Sequence, residues 1–329
     1  MKHFIYEKLK GCQNRLVEYK LSVKEFSRSK KLTPDERYTY LSGKILVEAH
    51  SLEKGMGVKY VKHGYGKQKA KRLICYLNAF ITKKYNLMTF AFLEAVRVIE
   101  EYINYQEDNQ VDVSDIEASL SLIHKKMSEH HIESVRNLRA GYVTLQGQDL
   151  EKAKGVNFEE FLLLRHSIRD YKYELVEPEI IREAIKIANL SPSACNRQPV
   201  KVYCTSTLSQ AEEVDEMISG TSGFKRMIPN FAIVTVDRAY FVGPEQFQWY
   251  INGGIYLSYL SLAFHSLGIG NCIMQWFAFY KNEKKLKKYF GISKSEAIIA
   301  VLGFGYYEKE FKCICAQRKS VEDTLVLKK

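Results

Sequence analysis

Two short clusters in this chain carry residue types that do chemistry together. Arg165-His166-Ser167-Ile168-Arg169 places two guanidinium groups and a hydroxyl within five residues. That set suits a phosphate, held by charge-assisted and bidentate hydrogen bonds. Further on, Ser191-Pro192-Ser193-Ala194-Cys195-Asn196-Arg197-Gln198-Pro199 offers hydroxyls, amides and a turn-forming proline. Those suit a polar heterocycle or its sugar chain. Each cluster alone has an ordinary explanation. Arginines at a helix end offset the negative end of its dipole, and Ser193 and Asn196 stabilise turns through side-chain to backbone bonds. Gln198 precedes Pro199, which biases it toward an extended conformation. The pair is informative because an amphipathic helix separates the clusters and a strand follows them.

The elements that position these residues alternate between helix and strand. Phe158 to Arg165 reads as a short helix. Pro178 to Leu190 is strongly amphipathic through Ile180, Ile181, Ala184, Ile185, Ile187 and Ala188, and stops at Ser191-Pro192. Val200 to Cys204 alternates like a half-buried strand, Phe231 to Val236 reads as a buried one, and Ile298 to Phe304 as a third. Gln246 to Leu267 is a long helix rich in small and aromatic residues, closing at Gly268-Ile269-Gly270. A GxGxxG run opening a helix is absent, so a dinucleotide-binding turn has no support.

The preceding residues read as helices only. Phe4 to Phe26 has apolar residues at helical spacing, and Thr33-Pro34-Asp35-Glu36 is a helix start leading toward His50. Further helices are expected at 67–84, 87–106 and 114–138, the last opened by a capping-box pattern at Ser114 to Glu117. His50-Ser51-Leu52-Glu53-Lys54-Gly55-Met56-Gly57 and His63-Gly64-Tyr65-Gly66-Lys67 mix ionisable residues with glycines. The first is read as a ligand loop carrying His50 and Glu53, or as a helix end capped by Gly55. Gly141 to Gly155 suits a linker, giving a helical domain over 1–150 and a second domain over 158–329.

With 329 residues, 46% of them hydrophobic, the chain has ample material for two cores. No apolar run reaches the roughly 18 residues that span a bilayer, and Met1 to Lys8 lacks a signal-peptide centre. The expectation is a cytoplasmic protein without integral membrane association. Seven cysteines, an odd and scattered set, argue against a disulfide framework. Cys313 and Cys315 form a C-x-C, but no second pair stands at zinc spacing, so no metal site is expected. The net charge of +11 is concentrated before residue 100, around Lys59, Lys62, Lys67, Lys69, Lys71 and Arg72. Without a nucleic-acid-binding signature this reads as a solvated basic face, and no nucleic-acid partner is expected.

The two clusters, in this order and at this distance, resemble the flavin-binding segments of the nitroreductase family. Asn252-Gly253-Gly254-Ile255-Tyr256 through Gly270-Asn271-Cys272 looks like that family's central helix and its glycine exit. Gly303-Phe304-Gly305 followed by Arg318-Lys319 looks like its last strand and a returning basic residue. The likeness covers about residues 158–325. It implies an α+β fold, nitroreductase-like, with a mixed and largely antiparallel sheet flanked by helices, here preceded by an all-α N-terminal domain. It further implies a homodimeric FMN flavoprotein in which NADH or NADPH reduces the flavin and a small-molecule acceptor reoxidises it. Arg165 and Arg318 would hold the FMN phosphate, with His166 and Ser167 adding contacts. Arg169 would reach the pyrimidine edge of the ring. Ser193, Asn196 and Gln198 would line the ribityl chain and ring from the other protomer, while Met274 and Gln275 would pass near the flavin N5 and O4.

One departure stands out. Ile273-Met274-Gln275-Trp276 occupies the place where many members carry a run of small residues. Gln275 then becomes a candidate donor to N5, and Trp276 either covers the ring or packs away from it. No residue need act as a proton donor, because the flavin carries the electrons. Longer relatives with a similar N-terminal stretch suggest a link to cell-surface polysaccharide metabolism. The alternative is a non-catalytic flavin- or nucleotide-binding module acting as a scaffold.

Overall fold

The structure is a computed structural model. It describes residues 33–57, 62–132, 140–142, 157–218, 221, 224–241, 245, 247–274, 276, 280–307, 320–322 and 324–328. The helix expected at Phe4 to Phe26, the Gly141–Gly155 linker beyond Tyr142, Gln275, Cys313, Cys315 and Arg318 lie outside these residues. By proximity along the backbone the chain divides into two compact units. The first comprises Met1–Thr144, Ser193–Arg197 and Asp237–Trp249; the second comprises Leu145–Pro192, Gln198–Val236 and Tyr250–Lys329.

Among the described residues, the first unit is built on the helices α1 (Pro34–Met56), α2 (Lys67–Thr82), α3 (Phe90–Asp108) and α4 (Ser114–Glu129). Helix α1 starts where its sequence dictates. The Thr33 hydroxyl accepts from the Glu36 N–H at 3.2 Å, and the Glu36 carboxylate accepts from the Thr33 N–H at 2.9 Å. Pro34 takes the first position, where its missing N–H costs nothing. The core of the unit is a single apolar cluster running from Ile45 and Leu52 through Leu73, Leu77, Phe80, Phe92 and Ile99 to Ile123.

Two local expectations are corrected here. His50–Met56 is the last two turns of α1, not a loop, and Gly55 lies inside the helix. Its role is contact: a Cβ on Gly55 would sit 1.7 Å from the Tyr65 ring. Helix α4 has no capping box, because Ser114 is already helical, behind Val113. The Ser114 N–H instead donates to Asp112 Oδ1 at 3.0 Å, an Asx turn that competes with the side-chain cap. The helix stops at Glu129, short of the expected 138, with His131 at φ 60°.

The second unit contains α5 (Phe158–Leu164), α6 (Pro178–Ala188), β1 (Val200–Cys204), α7 (Leu208–Met217), β2 (Asn230–Asp237, whose last residue falls in the first unit), α8 (Gln248–Ser266), β3 (Gly270–Met274), α9 (Tyr280–Phe290) and β4 (Glu296–Gly305). The strands lie in the order β1-β2-β4-β3. Strands β1 and β2 pair antiparallel, Val202 opposite Val234, and β3 and β4 pair antiparallel, Cys272 opposite Gly303. Apolar clusters fill the sheet on both faces, one around Leu260, Phe264 and Phe304, the other around Phe231, Ile233 and Val301. That is the α+β arrangement expected, with a largely antiparallel sheet. Strand β3 and helices α7 and α9 were not read as elements from the sequence.

A buried carboxylate ties the sheet together. Glu296 accepts from Thr235 Oγ1 at 2.6 Å, from the Tyr203 hydroxyl at 3.0 Å and from Lys201 Nζ at 3.1 Å. Three donors from two neighbouring strands satisfy a charge that would otherwise be costly to bury.

Candidate functional site

The first cluster is positioned by β3. Ser167 forms a parallel bridge with Asn271, and the Ile168 N–H donates to the Asn271 carbonyl at 3.1 Å. Ile168 is buried, and Gly270 lets the backbone come close: a Cβ there would meet the Ile168 side chain at 3.0 Å. With Ile168 turned inward, alternation leaves Arg165, Ser167 and Arg169 to the other side of the rung. Asn271 is itself held, accepting from Ser261 Oγ at 2.7 Å and donating to the Ser261 carbonyl at 3.0 Å on α8. Helix α8 thereby sets the height of the rung that carries the arginines.

The electrostatics of this edge are cationic. Among the described residues neither Arg165 nor Arg169 meets a carboxylate; Arg169 donates to the Ser167 carbonyl at 3.2 Å and lies 6.0 Å from the centre of the Phe224 ring. Both charges are felt at the Cys272 thiol, beside which the Ser167 hydroxyl lies. Burial pushes that thiol up, and the two guanidiniums and the hydroxyl partly offset it. The His265 imidazole is held below its ordinary value, first by burial and then by the charges of Arg165 and His166. Its Nε2 lies 3.1 Å from the Phe161 carbonyl. His166 is exposed, whereas Arg165, Ser167 and Arg169 are half-buried. Two cations without a counter-ion, beside a hydroxyl, make a receptor for an anion.

Met274 ends β3, and its side chain is buried: its Cε would come within 2.8 Å of a Cβ on Gly303. Only its main chain is left to serve a bound group. Trp276 is half-buried against the same core.

The second cluster divides between the two units. Ser193 and Asn196 belong to the first, where Ala194–Asn196 forms a turn of 3-10 helix; Gln198 opens the next segment of the second. Cys195, Asn196 and Gln198 have φ of 53°, 50° and 47°. Gln198 therefore adopts the left-handed region, against the extended conformation expected before Pro199. Three such residues within four positions store backbone strain that the surroundings must hold.

What holds them is Arg197. Its side chain is 1% exposed and binds Glu245 twice, at 2.9 and 2.5 Å. It also donates to the Tyr240 carbonyl at 2.8 Å and the Ala194 carbonyl at 3.0 Å, and sits 4.5 Å over the Phe241 ring. Within the first unit α1 packs on this assembly: a Cβ on Gly43 would lie 2.8 Å from the Tyr240 carbonyl, and Thr39 donates to Asp237 at 3.3 Å. Sequence reading passed over Arg197, since a lone arginine in a turn looks solvated. It also passed over Asn271, Cys272 and His265; the one available signal was that they follow one another at the exit of a small-residue helix.

Comparison with known proteins meets the same segment. The family model described as "Nitroreductase family" matches residues 162–225 and 234–306. A protein of Archaeoglobus fulgidus, provisionally named an NADH dehydrogenase/NAD(P)H nitroreductase, is 26% identical over 157 residues, covering 46% of this chain and 86% of that protein. Among solved structures, a nitroreductase with bound FMN from Desulfitobacterium hafniense is 21% identical, with a TM-score of 0.41, covering 52% of this chain and 97% of the other. An FMN-dependent nitroreductase from Clostridium difficile is 22% identical, with a TM-score of 0.41, covering 47% and 90%. Residues 162–306 thus form an oxidoreductase domain of the nitroreductase family, preceded in the chain by a helical region.

Proposed function

We propose that the protein is an FMN-dependent oxidoreductase in which NADH or NADPH reduces the flavin and a small organic acceptor reoxidises it. The observation that carries this reading is the cationic segment of Arg165, Ser167 and Arg169, bridged to β3 at Asn271, inside the stretch that the family model matches. The residues fit the cofactor: two guanidiniums without a carboxylate partner among the described residues answer a phosphate and an electron-rich ring edge. FMN, when bound, supplies the hydride chemistry.

The chain's own residues bind and orient. Arg165 holds the phosphate, joined by Arg318, while Ser167 and His166 donate to phosphate or ribityl oxygens. Arg169 places positive charge at the pyrimidine edge, favouring negative charge there. Ser193, Asn196 and Gln198 line the ribityl chain and ring from the partner protomer of a homodimer, and Met274 and Gln275 approach N5 and O4 through main chain or amide. The dimer is supported by apolar residues left exposed on α5 (Phe158, Leu163, Leu164) and α8 (Tyr250, Ile251). The domain division is 1–150, helical, and 158–329, flavin-binding. A cytoplasmic site of action fits the observation that no helix among the described residues is long and apolar enough to cross a membrane. A link to cell-surface polysaccharide metabolism belongs to the same reading.

The test is an absorption spectrum of the purified protein before and after anaerobic NADPH or NADH. A flavin spectrum that bleaches supports the enzyme. A flavin that stays oxidised under both donors supports the scaffold reading instead, and a protein that neither carries nor takes up flavin refutes the enzyme.

A further inference from the structure

Helix α5 buries no residue of its own, yet it leads straight into Arg165. It has seven residues, with Phe158, Leu162, Leu163 and Leu164 exposed. A helix this short is marginal without outside support. Its first turn is capped locally, the Asn157 side-chain oxygen accepting from the Glu160 N–H at 3.1 Å. Its last carbonyls have no following turn to serve them. In a continuing helix the Phe161 carbonyl would accept from the Arg165 N–H. That N–H instead meets the Leu162 carbonyl at 3.3 Å, and Arg165 leaves in an extended conformation, φ −78° and ψ 116°. The Phe161 carbonyl is served from another helix, by His265 Nε2 of α8 at 3.1 Å. A carbonyl oxygen only accepts, so Nε2 carries the proton. The Phe161 and His265 rings also pack, their centres 4.8 Å apart.

The same face of α8 holds the other end of this segment. Ser261 stands one turn before His265, at i and i+4. It binds the Asn271 side chain, while the Asn271 main chain bridges Ser167 and accepts from the Ile168 N–H. Arg165 thus lies between two anchors, Phe161 and Ser167, both referred to one helix. We propose that His265 is a positioning residue for phosphate binding: by donating to the Phe161 carbonyl it ends α5 and sends Arg165 into the extended path that presents it to an anion. It acts from α8 as a histidine in the last turn of a helix acts on that helix's own carbonyls. The identity of the anion rests on the flavin reading, whereas the anchoring of residues 161–167 does not.

Two measurements on the full-length protein test this: hydrogen exchange read on peptides covering 158–169, and FMN and riboflavin affinities by fluorescence quenching. They compare His265→Phe, which keeps a ring and loses the donor, with His265→Gln, whose amide N–H has nearly the reach of Nε2. His265→Phe should speed exchange across 158–169. It should also weaken FMN about tenfold, the order of one charge-assisted phosphate contact, and leave riboflavin, which has no phosphate, bound as by the wild type. His265→Gln should restore most of both readings. In an Arg165→Ala background His265→Phe should add nothing to the loss, since it acts through that arginine. His265→Leu, also without a donor, replaces His265→Phe if that variant folds poorly. Unchanged exchange over 158–169, equal losses for FMN and riboflavin, or losses additive with Arg165→Ala would overturn the positioning role. So would a glutamine variant no better than the phenylalanine one. A wild-type protein that takes up neither flavin would refute the oxidoreductase reading instead, with the exchange comparison still deciding whether His265 anchors the segment.

Discussion

Replacing Arg197 by methionine removes the cation on which the strained 193–198 turn depends. The guanidinium makes two bonds to Glu245 and one each to the carbonyls of Tyr240 and Ala194, from a side chain almost wholly buried. Methionine keeps much of the volume, so cavity formation contributes little. What remains is a Glu245 carboxylate without this cation and two carbonyls without this donor. Breaking a buried pair by removing one partner costs about 3–5 kcal/mol. At roughly 2–4 °C per kcal/mol for a unit of this size, the melting midpoint should fall by about 6–20 °C. Substituting Glu245 with methionine as well should recover part of the loss, since a pair replaced by apolar side chains carries no orphaned charge. If Ser193 and Asn196 serve the flavin, Arg197→Met should also weaken FMN binding measured by fluorescence quenching below the new midpoint. A change in urea-derived stability under about 1 kcal/mol, with unaltered flavin affinity, would refute this account of the turn.

Other outcomes follow from the same structure. Arg165→Ala should weaken FMN binding about tenfold or more in equilibrium dialysis, one charge-assisted phosphate contact contributing roughly 1.5–3 kcal/mol; unchanged affinity would remove Arg165 from the site. Gly55→Ala forces the Tyr65 ring to move from its 2.5 Å bond to the Ser51 carbonyl, and should destabilise the protein by about 1–3 kcal/mol in denaturant melts. Stability should decline as pH rises from the ordinary carboxylate range through about 7, because folded Glu94 keeps its proton longer than the unfolded residue does. The full shift corresponds to about 3 kcal/mol, reduced by partial solvent access, and Glu94→Gln should flatten that slope in melting curves. Ile251→Glu, on the exposed side of α8, should turn a sedimenting dimer into a monomer with weakened flavin binding; a wild-type monomer that holds flavin tightly would contradict the dimer.

Local sequence determined most element positions, for reasons that act within a few residues. Thr33-Pro34-Asp35-Glu36 satisfies the first N–H groups of α1 from its own side chains, so that start was legible without neighbours. The alternation of Val200 to Cys204 and the apolar run of β2 likewise announce strands. The 165–169 cluster stands out in the sequence because two guanidiniums and a hydroxyl fall within five residues, the types that an anion receptor uses. Strand β3 was hidden because Gly270 to Met274 is short and its pairing is supplied by β4, about thirty residues later in the chain. The end of α1 was misread for a similar reason. Gly55 looks like a helix stop in sequence, and only the Tyr65 ring packed against it explains the missing side chain. Gln198 shows the limit in the other direction: the preference before proline is real but small, and a turn clamped by a buried arginine pair overrides it. The roles of Arg197 and Glu296 depend on burial and on partners distant in the chain, so the fold decided them; a charge alone carries no sign of whether water or protein will surround it.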